Sequence, residues 1–447
     1  MPLALVITLI LIPAFAIADK SWASFVVMSS SYIVGLVVNK LRRQDEELYA
    51  LRSFVILFPI YLSIAFIFSI NFENGGFYLA SDPKEYLDRF LYSRHVYYDL
   101  DYIKDCYFEL ADNNALYNIS LNAWAVCGNR LFDGSTVFYM TLYHTIFGLG
   151  TLSVIYGIIN HYVEPKKAFK YTIMFGICSL LLSYSNMVLR DIEITFIYSL
   201  SIYILIKKFR YINILVLLVF MFVAWGLRLY SGLFCFSFIL LYLYLYFQNS
   251  IYRFIIIPMF FVSMVVASVF AAESAVVEQT VDEVSGYQEF TEDRVTGREG
   301  LYAAFYKLPT GLRELVLTLY SQISPFPSYK QAKAVKNFPN LIMSLDLMLY
   351  EYWWYLVAFT VFYSLAVNKA YRLLGKKEIL LGLLTLVFIV VNTAHPDIRR
   401  MMPMYIVTYL IYIIIKEKQD IDTFVYTQRR LKFMYFFLLF VYVLIKG

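Results

Sequence analysis

The sequence predicts an all-α fold: a polytopic helical membrane protein, one integral domain over residues 1–447 with about thirteen transmembrane spans. Three observations carry this. The chain is 60% hydrophobic and 16% charged, against roughly 45–50% and about 25% in soluble domains. Long apolar runs recur along its whole length. Only two stretches are long and polar, 71–135 and 272–350, and both read as outer loops with amphipathic surface helices.

The first run, 2–18, has no Lys or Arg before it and reads as a span despite Ala16-Ile17-Ala18, which mimics a signal-peptidase site. Spans follow at about 22–38 and 53–70, separated by Lys40-Leu41-Arg42-Arg43. After the first polar segment come 137–159, a span ending near 187, 192–206, one ending at 225, 229–247 and 254–271. After the second come 352–367, 379–391, 402–415 and 433–445. With a cytoplasmic N-terminus, the inner loops hold about twenty basic residues and the outer loops about five. The reverse orientation inverts that ratio, so both long segments are expected outside, on a cell inner membrane. The net charge of +5 fits this topology better than nucleic acid, since no basic tract with interleaved aromatics occurs.

The first polar segment organises the chain. Asp82 suits a helix cap, Pro83 the first helical position and Glu85 a capping box. In a helix over about 83–95, Tyr86, Leu87, Phe90 and Leu91 share a face, and the helix lies on the membrane surface. It presents Asp82 to a reactant anchored in lipid. The second segment holds a charged stretch that includes Arg298, then an amphipathic helix over 309–323 with Leu312, Leu315, Val316 and Leu319 on one face. Ser324-Pro325-Phe326-Pro327 ends it, because a residue before proline avoids helical geometry.

Ionisable residues gather near the outer span ends. Asp82 and Asp101 are candidate general bases, with Asp191 a third carboxylate to test. Asp191 also sits where a helix dipole favours an anion. Arg190, Arg228, Arg399 and Arg400 are candidate phosphate ligands, although Arg190 and Arg228 would also suit snorkelling to head groups. Arg399 and Arg400 stand as a pair on the side where positive charge is scarce. Glu193, one turn into a span, is costly unless it faces a wet cavity. His395 is either a site residue or a solvated loop histidine. Of the four cysteines, Cys178 and Cys235 lie in apolar runs, whereas Cys106 and Cys127 share the first polar segment and would form a disulfide in an oxidising compartment. No ligand spacing marks a metal site; no cofactor is expected, and a divalent cation is left open.

This arrangement suits transfer of a sugar from a lipid phosphate or pyrophosphate. The tail holds the anomeric carbon at the interface, a carboxylate activates the acceptor hydroxyl, and arginines receive the leaving phosphate. Tyrosines of the outer loops, with Trp124, Trp353 and Trp354, offer faces for sugars.

The same residues carry a family resemblance. Ser81-Asp82-Pro83-Lys84-Glu85-Tyr86 resembles the acidic element of the first large outer loop in C-type membrane glycosyltransferases. Leu189-Arg190-Asp191-Ile192, opening a span that closes with Lys207-Lys208, resembles a second recurring element. Ser324-Pro325-Phe326-Pro327 and the stretch from His395 to Arg400 resemble two more. The nearest pattern is that of bacterial O-antigen and capsule repeat-unit polymerases. The resemblance implies a catalytic carboxylate at Asp82, a polyprenyl-linked saccharide donor, a glycan acceptor and other polysaccharide-export membrane proteins as partners. In those glycosyltransferases the large loop follows the first span; here it follows the third. Three alternatives stay open: a transferase adding a single sugar, a ligase, and, from another class, a flippase or transporter of lipid-linked saccharide. The last should show two similar halves, short outer loops and mid-span charges.

Overall fold

The computed structural model describes residues 2–73, 86–87, 115–132, 134–247, 308–309, 312–322, 326, 328, 338–393 and 398–446. Among these every regular element is helical. Four helices are long and apolar enough to cross a membrane: Pro2–Asp19 (α1), Trp22–Lys40 (α2), Asp45–Ile70 within Gln44–Glu73 (α3), and Val137–Ile159 (α5). Between α3 and α5 lies Ala115–Leu131 (α4). The outward faces are apolar too, as at Leu9, Ile10 and Ile17 on α1 and Phe433, Phe437 and Phe440 near the C-terminus. Such large exposed patches suit a lipid surroundings rather than water.

Local chemistry sets the helix ends. Ser21 caps α2 by accepting from the Ser24 amide at 3.2 Å, and Thr136 caps α5 by accepting from the Tyr139 amide at 3.0 Å. Asp19 ties these starts together, accepting from the Ser24 hydroxyl at 2.5 Å and the Thr136 hydroxyl at 2.8 Å. α3 packs against α1, α2 and α5, and its 30 residues make it about 45 Å long.

The run expected to continue unbroken to about 187 is divided. Pro165–Cys178 (α6) stops where Ser179 turns extended, and Leu181–Tyr184 (α7) is a single turn. The Ser179 hydroxyl accepts from the Leu181 amide at 3.3 Å, which offers the backbone an alternative to the helix ladder. The broken stretch then packs closely on α5. A Cβ on Gly148 would lie 2.4 Å from the Ser185 Cβ. Gly148→Ala should therefore destabilise the protein by about 1–3 kcal/mol, the usual cost of overpacking a filled core. A lower half-inactivation temperature in detergent checks this; an unchanged one means the break can shift freely.

Asp191–Ile206 (α8), Tyr211–Leu227 (α9) and Leu229–Tyr246 (α10) follow, with α8 packed against α5, α9 and α10. The ninth expected span, 254–271, lies outside the described residues. Leu312–Ser321 (α11) occupies the expected amphipathic stretch; Leu312 and Leu315 are exposed and Leu317 is buried.

Phe338–Ala366 (α12), with 29 residues, starts well before 352 and takes in the end of the second polar segment. Its early turns are held by apolar burial at Met343 and Leu347 that the polar neighbours mask in sequence. A 3₁₀ turn at Ala370–Leu373, Lys376–Thr393 (α13), a 3₁₀ stretch at Ile398–Met404, Tyr405–Lys418 (α14) and Ile421–Lys446 (α15) complete the order. α12 packs on α14 and α15. Glu351 on α12 accepts from the Ser328 amide and the Tyr435 hydroxyl, both at 2.7 Å, so it fastens the second polar segment to α15.

Candidate functional site

Three of the predicted arginines and one carboxylate meet at the start of α8. Asp191 opens the helix, and Arg190 immediately precedes it. Arg228 stands at the joint between α9 and α10, where the backbone is extended (φ −167°) and the chain reverses. That reversal aims its guanidinium at α8: Arg228 Nη1 donates to Asp191 Oδ1 at 2.8 Å. Arg399 arrives on the 3₁₀ stretch packed against α8, with Nε 3.8 Å from Asp191 Oδ2. Asp191, Arg228 and Arg399 are 1%, 3% and 6% exposed. Snorkelling therefore does not describe Arg228, which is turned inward. Arg190 is half-buried and reaches the Leu227 carbonyl at 3.5 Å. Arg400 follows Arg399 and is half-buried.

Among the described residues, Asp191 is the carboxylate that both Arg228 and Arg399 face. Asp191 Oδ2 makes no hydrogen bond among the described residues. A buried ion pair is stable only when its remaining polar atoms find partners. Arginine forks held together in this way match the oxygens of a phosphate as well as those of a carboxylate.

Glu193, within the first turn of α8, is buried near Tyr143 of α5, and its Oε1 makes no hydrogen bond among the described residues. Beside Tyr143 lies His144, whose Nε2 is 2.9 Å from the Tyr117 hydroxyl of α4. Tyr117 in turn meets Tyr86 edge-on, ring centroids 4.8 Å apart, and lies within electrostatic reach of Glu193 and Arg190. Tyr86 is buried, so the expected surface-helix face turns an aromatic ring into this cluster. Sequence reasoning missed Tyr117, Tyr143 and His144. The available signal was a histidine within an apolar span, where a polar ring needs an interior partner.

A further buried carboxylate falls in the segment expected as the second outer loop. Asp346 on α12 accepts from the Ser183 hydroxyl at the broken stretch, and its Oδ1 makes no hydrogen bond among the described residues.

Asp82, Glu85, Asp101, Arg298, His395 and Cys106 lie outside the described residues. Cys127 is an exposed thiol on α4 without a disulfide among them. The tryptophans are corrected. Trp354 is fully buried, stacked 4.0 Å from Tyr405, and Trp353 packs among Phe175 and Tyr409, so neither face is open to a sugar. Trp124 is half-buried and stacked 5.0 Å from Tyr139, with its indole NH on the Tyr139 carbonyl at 3.1 Å. Among the described residues no three His, Cys, Asp or Glu side chains gather as metal ligands. Comparison with known proteins finds no match to a family model, to a curated protein or to a solved structure.

Proposed function

We propose that this chain is a membrane glycosyltransferase acting at the outer face of a cell inner membrane, with about thirteen spans and a cytoplasmic N-terminus. Its most favoured reaction is polymerisation of O-antigen or capsule repeat units from a polyprenyl-linked saccharide. The observation that carries this reading is the convergence of Arg190, Arg228 and Arg399 on Asp191 at one end of α8. A pyrophosphate leaving group needs such a cluster: arginine forks match phosphate oxygens and stabilise the charge that develops there.

Asp82 supplies the base. Tyr86, packed on Tyr117 beside the cluster, is four residues further along the chain. That spacing keeps Asp82 within roughly 14 Å of Tyr86, the reach of an extended chain. In the reaction the acceptor hydroxyl gives its proton to Asp82 while its oxygen bonds to the anomeric carbon. The bond from that carbon to the phosphate oxygen breaks, and the polyprenyl pyrophosphate leaves toward the arginines.

One observation favours transport of the same lipid-linked saccharide as a second reading. The broken stretch at α6 and α7 faces the buried Asp346, and interrupted helices with interior carboxylates mark substrate and ion paths in transporters.

The surface-glycan gel of a deletion strain separates these. A polymerase predicts a product of one repeat. Full-length chains lacking a branch sugar indicate a single-sugar transferase. Complete polymer left unattached indicates a ligase, and absence of even a single repeat at the surface indicates a flippase.

A further inference from the structure

The end of α8 away from Asp191 carries a second charged feature that the proposed reaction does not use. α8 has 16 residues, so Ile206 lies about 22 Å from Asp191 along the helix. There a cavity of about 1010 Å³ is lined by Arg42, Arg43, Lys207, Lys208, Arg210 and Lys377, with Glu46 as its carboxylate. These residues come from four places in the chain: the joint between α2 and α3, the segment between α8 and α9, and the first turn of α13, with His161 closing the cavity after α5.

A charge bias for topology requires only that basic residues lie on one side of the membrane. It does not require them to surround one space. Here several are fixed in place. Arg42 donates to the Ser153 carbonyl at 2.6 Å and lies over the Tyr156 ring at 5.3 Å. Its Nε is buried and makes no hydrogen bond among the described residues. Lys207 rests over the Tyr203 ring at 4.8 Å, and Lys377 reaches the Ile206 carbonyl at 3.5 Å. The excess of positive charge is felt by His161: burial first, then Lys207 and Lys377, hold its imidazole below the ordinary value, against Glu378, which raises it.

We propose that this cavity binds a multiply charged phosphate group, carried on a lipid. The lipid source follows from the rim. Val38 and Leu41 line the cavity itself, and Leu41 is 81% exposed. The adjoining faces of α2 at Val34 and Val37, and of α9 at Ile212 and Leu215, are also exposed and apolar. Acyl chains would lie along these faces while the head group enters between the basic side chains. A free anion would gain nothing from them. This site is separate from the Asp191 cluster and does not depend on the glycosyltransferase reading.

The test uses the whole protein in neutral detergent, with diphosphatidylglycerol, phosphatidylcholine and inorganic pyrophosphate as probes in native mass spectrometry. Diphosphatidylglycerol should be retained and phosphatidylcholine lost. Arg42→Gln/Lys207→Gln/Lys377→Gln should weaken retention roughly 100-fold, the effect of removing three charges beside a phosphate. Arg429→Gln/Lys432→Gln on α15 should bind as the wild type does. In parallel, diphosphatidylglycerol should slow acylation of Lys207 and Lys377 in the wild type, a readout that needs no variant. Equal retention by the triple variant, or unchanged acylation, would overturn the site. Pyrophosphate protecting as well as the lipid at equal concentration would overturn the lipid assignment.

Discussion

Asp191→Ala is expected to lower the stability of the protein by about 3–5 kcal/mol, the largest structural loss from any single change at the site. The carboxylate accepts from Arg228 at 2.8 Å and faces Arg399 at 3.8 Å, all three groups being buried. Removing it takes away an anion that two buried guanidinium groups face. That is a large share of the roughly 5–15 kcal/mol that separates folded from unfolded protein. The measurement is yield and half-inactivation temperature in detergent, taken with Arg228→Gln and the double variant. If Asp191 works chiefly through Arg228, the double variant should lose less than the two single losses added together. Strict additivity would mean that the pair is not coupled.

The same cluster separates a structural role from a phosphate-binding one. Arg399→Lys keeps the charge but loses the planar fork. It should leave the protein folded while lowering transfer, and Arg399→Ala should lower it further. Equal activity in all three forms would leave Arg399 as a counter-ion of Asp191 alone.

Asp82→Asn is expected to remove product while the protein stays in the membrane at its normal amount. Asparagine caps a helix about as well as aspartate, so the structural role survives. The base does not, because an amide cannot take the acceptor's proton. Loss of a general base costs about 10²–10⁴ in rate, or roughly 3–5 kcal/mol of barrier. Pulse-labelled polymer from a strain carrying only the variant gives the readout. Wild-type length and amount would end the catalytic role of Asp82 and leave Asp101 and Asp191 as the next carboxylates. A simple cap predicts the reverse pattern, with Asp82→Asn active and Asp82→Ala mildly unstable.

Helices with an uninterrupted apolar run were legible from composition alone. The fourth expected span and α5 share the bounds 137–159, and α1 and α2 begin where the sequence places them. A run of this kind has to satisfy its backbone internally once it leaves water, and the helix is the local way to do so. The candidate arginines and Asp191 were legible for a related reason: charge next to an apolar run is costly and therefore conspicuous.

Tertiary structure alone decided three things. It turned Arg228 inward, because the reversal between α9 and α10 points its side chain at α8. It brought Arg399 to Asp191 across more than two hundred residues of chain. It also extended α12 back to Phe338 and buried Asp346 and Glu351 within it, where sequence showed only a polar segment. The physical reason is common to all three. Hydropathy reports what a residue costs in lipid, averaged over its neighbours, but whether that cost is met depends on partners that arrive from distant segments. Asp191 alone reads as an expensive anion near a helix start; Asp191 between Arg228 and Arg399 is the centre of a buried ion cluster.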